Sequence, residues 1–342
     1  MSPEPRSFAG PAPPSHAPRP TDLSDGEVRD CLAGSLASRF GPRATIVGLR
    51  RAPFDGATSY PAEIVHVRLS TGQELKLFLK DLSTSRLPKD AIRDRREREF
   101  RVYRELLPRT DVGTARYYGA LGDESLDRVC LLLEFVDGVP LGKCELEGWL
   151  AAARWLARLQ GAVARHADVL ARAPFLVRHD AKFYRAKADL AEIAVGQVSA
   201  ALAGRLARAL SGYDRVVAVM ADQPRTLAHG SYRPENILVS GGGAAARICP
   251  IDWELAAWGA ALYDLAFLTD AAAPSWWEPL WDAYTDEAGR CGVAVPPREE
   301  LRHVVDCFRL LKTLKALSEC VTWGFPERKV VKLVGMAEAL RL

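Results

Sequence analysis

The chain has 342 residues, 48% of them hydrophobic and 26% charged, with 46 basic side chains against 43 acidic ones and a net charge of +3. Such a length suits one large domain or a two-lobe enzyme with a sizeable core, and the near-balance of charge argues against a nucleic-acid partner. Seven scattered cysteines (odd in number, with no Cys-x-x-Cys pair) argue against a zinc site and a disulfide scaffold. With no apolar run of membrane-spanning length and no segment of signal-peptide type, the expectation is a cytoplasmic protein without a membrane partner.

Residues 1–21 hold Pro3, Pro5, Pro11, Pro13, Pro14, Pro18 and Pro20 among Ser, Ala and Gly, a composition that builds no core and predicts a disordered tail. A capping signal at Thr21-Asp22 then precedes an amphipathic helix over Asp25 to Phe40. Three strands follow, over Ala44 to Pro53, Ala62 to Leu69 and Leu75 to Leu82, the last two joined by a turn at Thr71-Gly72. The first two are separated by a loop, Phe54 to Ser59. Its small residues Gly56, Ala57, Thr58 and Ser59 could let backbone N–H groups approach phosphates, although an ordinary hairpin loop has the same composition.

Lys80 ends the third strand. The charged helix after it, Lys89 to Leu107, carries Ile92, Phe100, Tyr103, Leu106 and Leu107 on one face, with Glu99 in the middle of that face and Glu97 pointing away. A carboxylate on an apolar stripe requires a partner. Lys80 is the natural cation, and Arg96, at the edge of the same stripe, is the competing one. The arginines from Arg93 to Arg104 are the only feature that a nucleic-acid-binding reading could use, and strongly salt-dependent binding to generic DNA would reveal it. Val129 to Phe135 reads as a buried strand that ends in Val136-Asp137-Gly138.

From Leu146 the pattern turns helical, with apolar residues at helix spacing after Gly148, over Val198 to Met220 and over Leu301 to Val321. One segment interrupts it: LAHGSYRPENILV (Leu227 to Val239), then, past a turn at Gly241-Gly242-Gly243, CPIDWELAAWGAALYDLAFL (Cys249 to Leu268). Asn236 lies seven positions after His229, and Asp252 sixteen after Asn236. Their side-chain oxygens suit a hard divalent cation such as Mg²⁺.

The segment resembles the aminoglycoside phosphotransferase and choline kinase-like family, whose usual string is His-Gly-Asp-x-His-Pro-x-Asn followed by Ile-Asp-Trp/Phe-Glu. His229, Gly230, Pro234, Asn236, Asp252, Trp253, Glu254, Gly259 and Asp264-Leu265-Ala266 agree with the pattern. Ser231 stands where the family has its catalytic Asp, Arg233 where it has the second His, and Glu235 where a small residue is common.

The resemblance implies an α+β, two-lobe protein-kinase-like fold. A small N-lobe (22–136) would have an antiparallel sheet and one helix and bind the nucleotide phosphates. A larger, mainly helical C-lobe (137–342) would carry the metal-binding segment and the acceptor pocket. ATP or GTP with Mg²⁺ would then sit in the inter-lobe cleft, bound by Lys80, Glu99, Thr58, Ser59 and the hinge at Val136, with Asn236 and Asp252 holding the metal. The same composition at Val136 also fits a strand that simply ends in a turn. His229 and Asp264 are expected to brace the loop.

Ser231 divides the functional readings, because a hydroxyl is no base near neutral pH and general-base assistance contributes about 10²- to 10⁴-fold. Phosphoryl transfer depends chiefly on positioning and charge stabilisation, so the loss damages transfer without forbidding it. The expected function is transfer from ATP or GTP to a hydroxyl or carboxylate of a natural product, antibiotic or metabolite. Glu235 or another group would stand in for the base, or Arg233 would pair with an acceptor that is already anionic, although a phosphate ligand or a surface residue fits Arg233 equally well. The alternative is a nucleotide-binding, pseudokinase-like protein or one with altered chemistry. Trp276 and Trp277, with Trp281 and Tyr284, could line an acceptor cleft or simply pack the core. No acidic wall marks a polycationic acceptor.

Overall fold

The computed structural model describes residues 21–56, 59–122, 128–242 and 246–340, and they form two compact units. Residues 1–20 of the expected tail, together with Ala57, Thr58 and Gly243, lie outside the described residues, and Thr21, the last residue assigned to the tail, is buried. The N-terminal unit comprises the chain up to Gly138 plus Cys249–Glu254, and the C-terminal unit comprises Val139–Ile248 and the chain from Leu255. Asp252, expected among the C-lobe residues, therefore belongs with the N-terminal unit.

In the N-terminal unit the elements are α1 (Asp25–Phe40), β1 (Ile46–Pro53), β2 (Ala62–Leu69), β3 (Glu74–Asp81), α2 (Ile92–Arg101), β4 (Tyr117–Gly122) and β5 (Val129–Glu134). The five strands make one sheet of order β1-β2-β3-β5-β4, antiparallel throughout. Two helices accompany it rather than one. The Val28, Leu32 and Leu36 side of α1 is fully buried against Val65, Val67, Leu69, Leu77, Leu79 and Leu132 of the sheet. Each such side chain contributes roughly 1.5–3 kcal/mol when buried. Because side chains alternate along a strand, Leu77 and Leu79 of β3 face α1, and Phe78 and Lys80 project to the other side.

α1 is capped by Ser24 rather than at Thr21-Asp22. The Glu27 N–H donates to Ser24 Oγ at 3.2 Å and the Ser24 N–H to Glu27 Oε2 at 2.8 Å, a reciprocal capping box. Thr21 instead donates its N–H and hydroxyl to Glu63 Oε1, at 2.6 and 2.8 Å, and Arg51 grips the same carboxylate at 2.6 Å. Burial works against that charge, but the Arg51 and Thr21 hydrogen bonds hold Glu63 below the usual glutamate range.

α2 begins three residues later than expected. Ala91, its N-cap, is left-handed (φ 45°) and has no side-chain cap, and Lys89 stays outside the helix. The helix then widens into a π-helical turn over Val102–Leu106 and tightens into a 3₁₀ turn over Leu107–Arg109.

The C-terminal unit contains β6 (Val139–Pro140), α3 (Leu146–Ala164), α4 (Ala167–Arg172), β7 (Val177–Arg178), α5 (Ala181–Val198), α6 (Ala200–Ala209), α7 (Tyr213–Ala221), β8 (Arg225–Ala228) and β9 (Ile237–Ser240). It continues with β10 (Arg247–Pro250, which leads out of the unit), β11 (Ala257–Ala260), α8 (Leu262–Ala271), α9 (Trp277–Arg290), α10 (Arg298–Ser318) and α11 (Glu327–Ala339). The helix expected over Val198 to Met220 is two helices. Gly212, at φ +112°, breaks it before α7, and Ser199 caps the first of the pair. Helix α3 packs on α9, and α10 packs on α5 and α8. Two small sheets, β10-β9-β6 and β7-β11-β8, carry the loop that follows β8. No helix among the described residues is long and apolar enough to cross a membrane.

Candidate active site

In the N-terminal unit the end of β3 delivers Lys80 to a set of carboxylates. Its Nζ lies 2.7 and 2.9 Å from the two oxygens of Glu99 on α2 and 2.7 Å from Oδ1 of Asp252. Glu99 is 1% exposed, and Arg96, its other candidate partner, donates to the Ser83 carbonyl instead. Burial opposes the ammonium charge, yet Asp252 and Glu99 together raise Lys80 well above the usual lysine range. Burial also raises the Glu99 carboxyl, against the pull of Lys80, and the neighbouring Asp252 and Glu254 charges add to the rise.

Asp252 itself sits in the left-handed region at φ 67°, a conformation that Asp tolerates better than most residues. Strain of this kind costs about 1–3 kcal/mol and concentrates at functional sites.

Further cations gather around a third carboxylate beside this core. Glu254, two residues after Asp252, is 6% exposed and accepts from Lys89 Nζ at 2.5 Å, Arg95 at 3.1 Å and the Tyr60 hydroxyl at 3.2 Å. Its carbonyl accepts from Arg98 at 2.5 Å. Ligand oxygens of Glu99, Asp252 and Glu254 lie within 4.8 Å of one another. The available signal was the excess of cations between Lys89 and Arg98 over the acids beside them, which demands a carboxylate from elsewhere in the chain.

Phe54, Phe78 and Phe135 are half-buried, with ring centroids 5.3 Å (Phe54–Phe78) and 6.2 Å (Phe54–Phe135) apart. Phe78 is on the same face of β3 as Lys80, one alternation earlier. Val136 is buried, and Ser59 is half-buried with its carbonyl accepting from the Arg86 N–H at 2.7 Å. Thr58 lies outside the described residues.

In the C-terminal unit the loop after β8 is pinned from beneath by Asp264 of α8. Its carboxylate accepts from the N–H of His229 at 2.5 Å and of Gly230 at 3.1 Å. Burial pushes this carboxyl up to about 7, against those two hydrogen bonds. Gly230 has φ +78°, and a Cβ there would lie 2.0 Å from the Leu255 carbonyl oxygen, so no other residue fits. The His229 ring is fully buried, and its Nδ1 accepts from the Ser231 N–H at 3.3 Å.

Asn236 Nδ2 donates to the Ser231 carbonyl at 3.1 Å and to Ser231 Oγ at 3.2 Å. With the amide nitrogen so occupied, Oδ1 is left as the side chain's acceptor, an oxygen of the type a hard divalent cation takes. Arg233 and Glu235 are exposed. Trp276 packs edge-on against Trp149 at 5.9 Å, and Trp277 lies beneath the Arg309 guanidinium at 4.3 Å. Trp281 and Tyr284 are buried, bonded to Thr269 and Gln160. They are core residues.

Solved structures share this fold. The macrolide 2'-phosphotransferase MphH from Brachybacterium faecium is 18% identical, with 90% of this chain and 96% of that one covered at a TM-score of 0.54. The GDP complex of aminoglycoside 2'-phosphotransferase-IIIa is 14% identical, with coverage of 90% and 98% and a TM-score of 0.54. A microcompartment-associated aminopropanol kinase is 15% identical, with coverage of 90% and 94% and a TM-score of 0.52. These likenesses establish the α+β kinase-like architecture, an antiparallel sheet in the N-terminal part and helices in the C-terminal part. No curated protein matches the sequence. The family model described as "Phosphotransferase enzyme family" matches residues 65–302, and the chain belongs to that family.

Proposed function

We propose that the protein transfers the γ-phosphoryl group of ATP or GTP, as its Mg²⁺ complex, to a small-molecule acceptor. The observation that carries this reading is Lys80, held charged between Glu99 and Asp252 in the N-terminal unit. An ammonium fixed by two carboxylates is oriented before any ligand arrives, and preorganised charge of this kind dominates phosphoryl transfer. With a nucleotide bound, its protons would turn to phosphate oxygens while Glu99 holds the side chain in place. Asp252 in one unit and Asn236 in the other each offer a side-chain oxygen of the type that would hold Mg²⁺, and the ion would neutralise phosphate charge. Glu254, gripped by Lys89, Arg95 and Tyr60, fixes the backbone next to Asp252. The flat, half-buried Phe78 ring, on the Lys80 face of β3, suits stacking by a nucleobase.

Structures of this fold support the nucleotide part of this reading: aminoglycoside 2'-phosphotransferase-IIIa is solved with GDP, and APH(2")-IIIa with GDP and kanamycin.

Calorimetric titration with Mg²⁺–ATP and Mg²⁺–GTP tests the proposal. Binding is expected with at least one of them, weakened by Lys80→Ala and by Asp252→Asn. A flat titration with both nucleotides rejects it.

A further inference from the structure

A hydroxyl acceptor must lose its proton on the way to a phosphate ester. The loop from His229 to Asn236 offers nothing placed to take it. Ser231 is a neutral hydroxyl, 9% exposed, whose oxygen accepts from Asn236 Nδ2. The His229 ring is fully buried, with Nδ1 already bonded, and both oxygens of Asp264 are used by backbone N–H groups. The Tyr232 hydroxyl is buried against the Ala152 carbonyl. Glu235 is exposed and lies on the 3₁₀ turn Pro234–Asn236. At three residues per turn it points about 120° away from its neighbour Asn236, which folds back onto Ser231.

A cation is present instead. The Arg233 N–H donates to the Ser231 carbonyl at 2.9 Å, so a tight turn brings the two residues together while Tyr232 between them is buried. The Arg233 side chain is exposed and has no hydrogen-bond or ion-pair partner among the described residues. Guanidinium groups bind carboxylates through paired N–H donors, and a hydroxyl adds a further donor.

We propose that the acceptor is a small-molecule carboxylate, already ionised at neutral pH, held at this loop by the Ser231 hydroxyl and the Arg233 guanidinium. This rests on the phosphotransferase reading above and names its substrate class. A carboxylate oxygen forms the new O–P bond to the γ-phosphorus. The bond from that phosphorus to the β–γ bridging oxygen breaks, and its electron pair leaves with the nucleoside diphosphate. The products are an acyl phosphate and the diphosphate, and no proton is transferred. The missing base is then no defect.

The test uses the full chain with Mg²⁺ and γ-labelled ATP or GTP. Acceptors are a deproteinised small-molecule cell extract, a defined panel of carboxylates (acetate, benzoate, glutamate) and their matched alcohols. The labelled product is then treated with neutral hydroxylamine. Expected are a hydroxylamine-labile product, loss of at least tenfold in transfer with Ser231→Asp through charge repulsion, and a KM for the acceptor raised about tenfold by Arg233→Ala. In that last variant kcat should stay within about twofold, and Arg233→Lys should restore part of the affinity.

A hydroxylamine-stable phosphate ester overturns the proposal, as does an acceleration of about 10²- to 10⁴-fold in Ser231→Asp, which is what a restored base would give. Absence of any labelled acceptor while Mg²⁺–nucleotide binds also overturns it. Failure of nucleotide binding itself instead rejects the parent reading.

Discussion

The two polar centres of the molecule are built on opposite principles. In the N-terminal unit, Glu99, Asp252 and Glu254 are crowded with Lys80, Lys89, Arg95 and Arg98, so that every carboxylate has at least one cation in reach. In the C-terminal unit, the loop around Ser231 is held mostly by neutral hydrogen bonds. Its buried carboxylate, Asp264, accepts from the backbone N–H groups of His229 and Gly230. The first arrangement suits a highly charged ligand that must displace existing ion pairs. The second presents a hydroxyl and an exposed guanidinium, and therefore favours what arrives already negative. Under the proposed function, charge is concentrated where phosphates would bind and withheld where a proton would have to be removed.

The sharpest way to break this contrast is to remove the pivot of the charged centre. Lys80→Ala should lower kcat/KM for phosphoryl transfer by about 10²- to 10³-fold, the range seen for lost charge-stabilising donors. A variant that keeps full activity would separate Lys80 from the chemistry altogether. Glu254→Gln should act on the scaffold instead. It leaves Lys89 and Arg95 without their buried counter-charge, a loss of about 3 kcal/mol or more measurable by urea denaturation. If the variant were as stable as the parent, the Glu254 network would be dispensable.

In the neutral centre, Gly230→Ala should cost about 1–3 kcal/mol, because φ +78° and the Leu255 carbonyl both oppose a Cβ. Unchanged denaturation would mean that the loop relaxes freely.

Two buried carboxyls, Asp264 in the C-terminal unit and Glu63 beside Arg51 in the N-terminal unit, should respond oppositely to pH. Asp264 has its folded-state value raised to about 7, above the ordinary 3.8, so the folded state holds this proton more tightly than the unfolded chain does. Its stabilising contribution is present below about 4 and falls as pH rises toward 7. Glu63 in the N-terminal unit is depressed below its ordinary 4.5, so its contribution is present above that pH and lost on acidification. Comparing thermal stability from pH 4 to 7 in the parent chain and in Asp264→Asn, which should lack the decline, checks the sign. The smallest effect is expected at Arg185, whose pair with Asp214 is largely exposed on both sides. Arg185→Ala should change stability by less than about 0.5 kcal/mol in the same assay.

Much of the molecule could be read along the chain because local rules govern it. Helix α1 occupies the residues that its periodicity predicted, and the alternation in β2 marks the strand to the residue. Lys80 and Glu99 meet because strand alternation and helix periodicity each aim one of them, and two local rules then intersect. Where two local signals compete, the reading slipped. Thr21 looked like a cap, but Glu63 takes it and Ser24 caps the helix. Gly212 was lost within a long apolar pattern that it divides.

By itself, then, the sequence determined the order of elements, the loop from His229 to Asn236 and the membership of the phosphotransferase family, because these depend on spacing along one chain. Tertiary structure alone decided that Asp252 groups with the N-terminal unit, that Lys80 reaches Asp252 as well as Glu99, and that Glu254 is gripped by Lys89, Arg95 and Tyr60. The physical reason is that a buried charge takes whichever partner the folded backbone brings within about 3 Å, and partners some 160 to 190 positions apart leave no periodic trace.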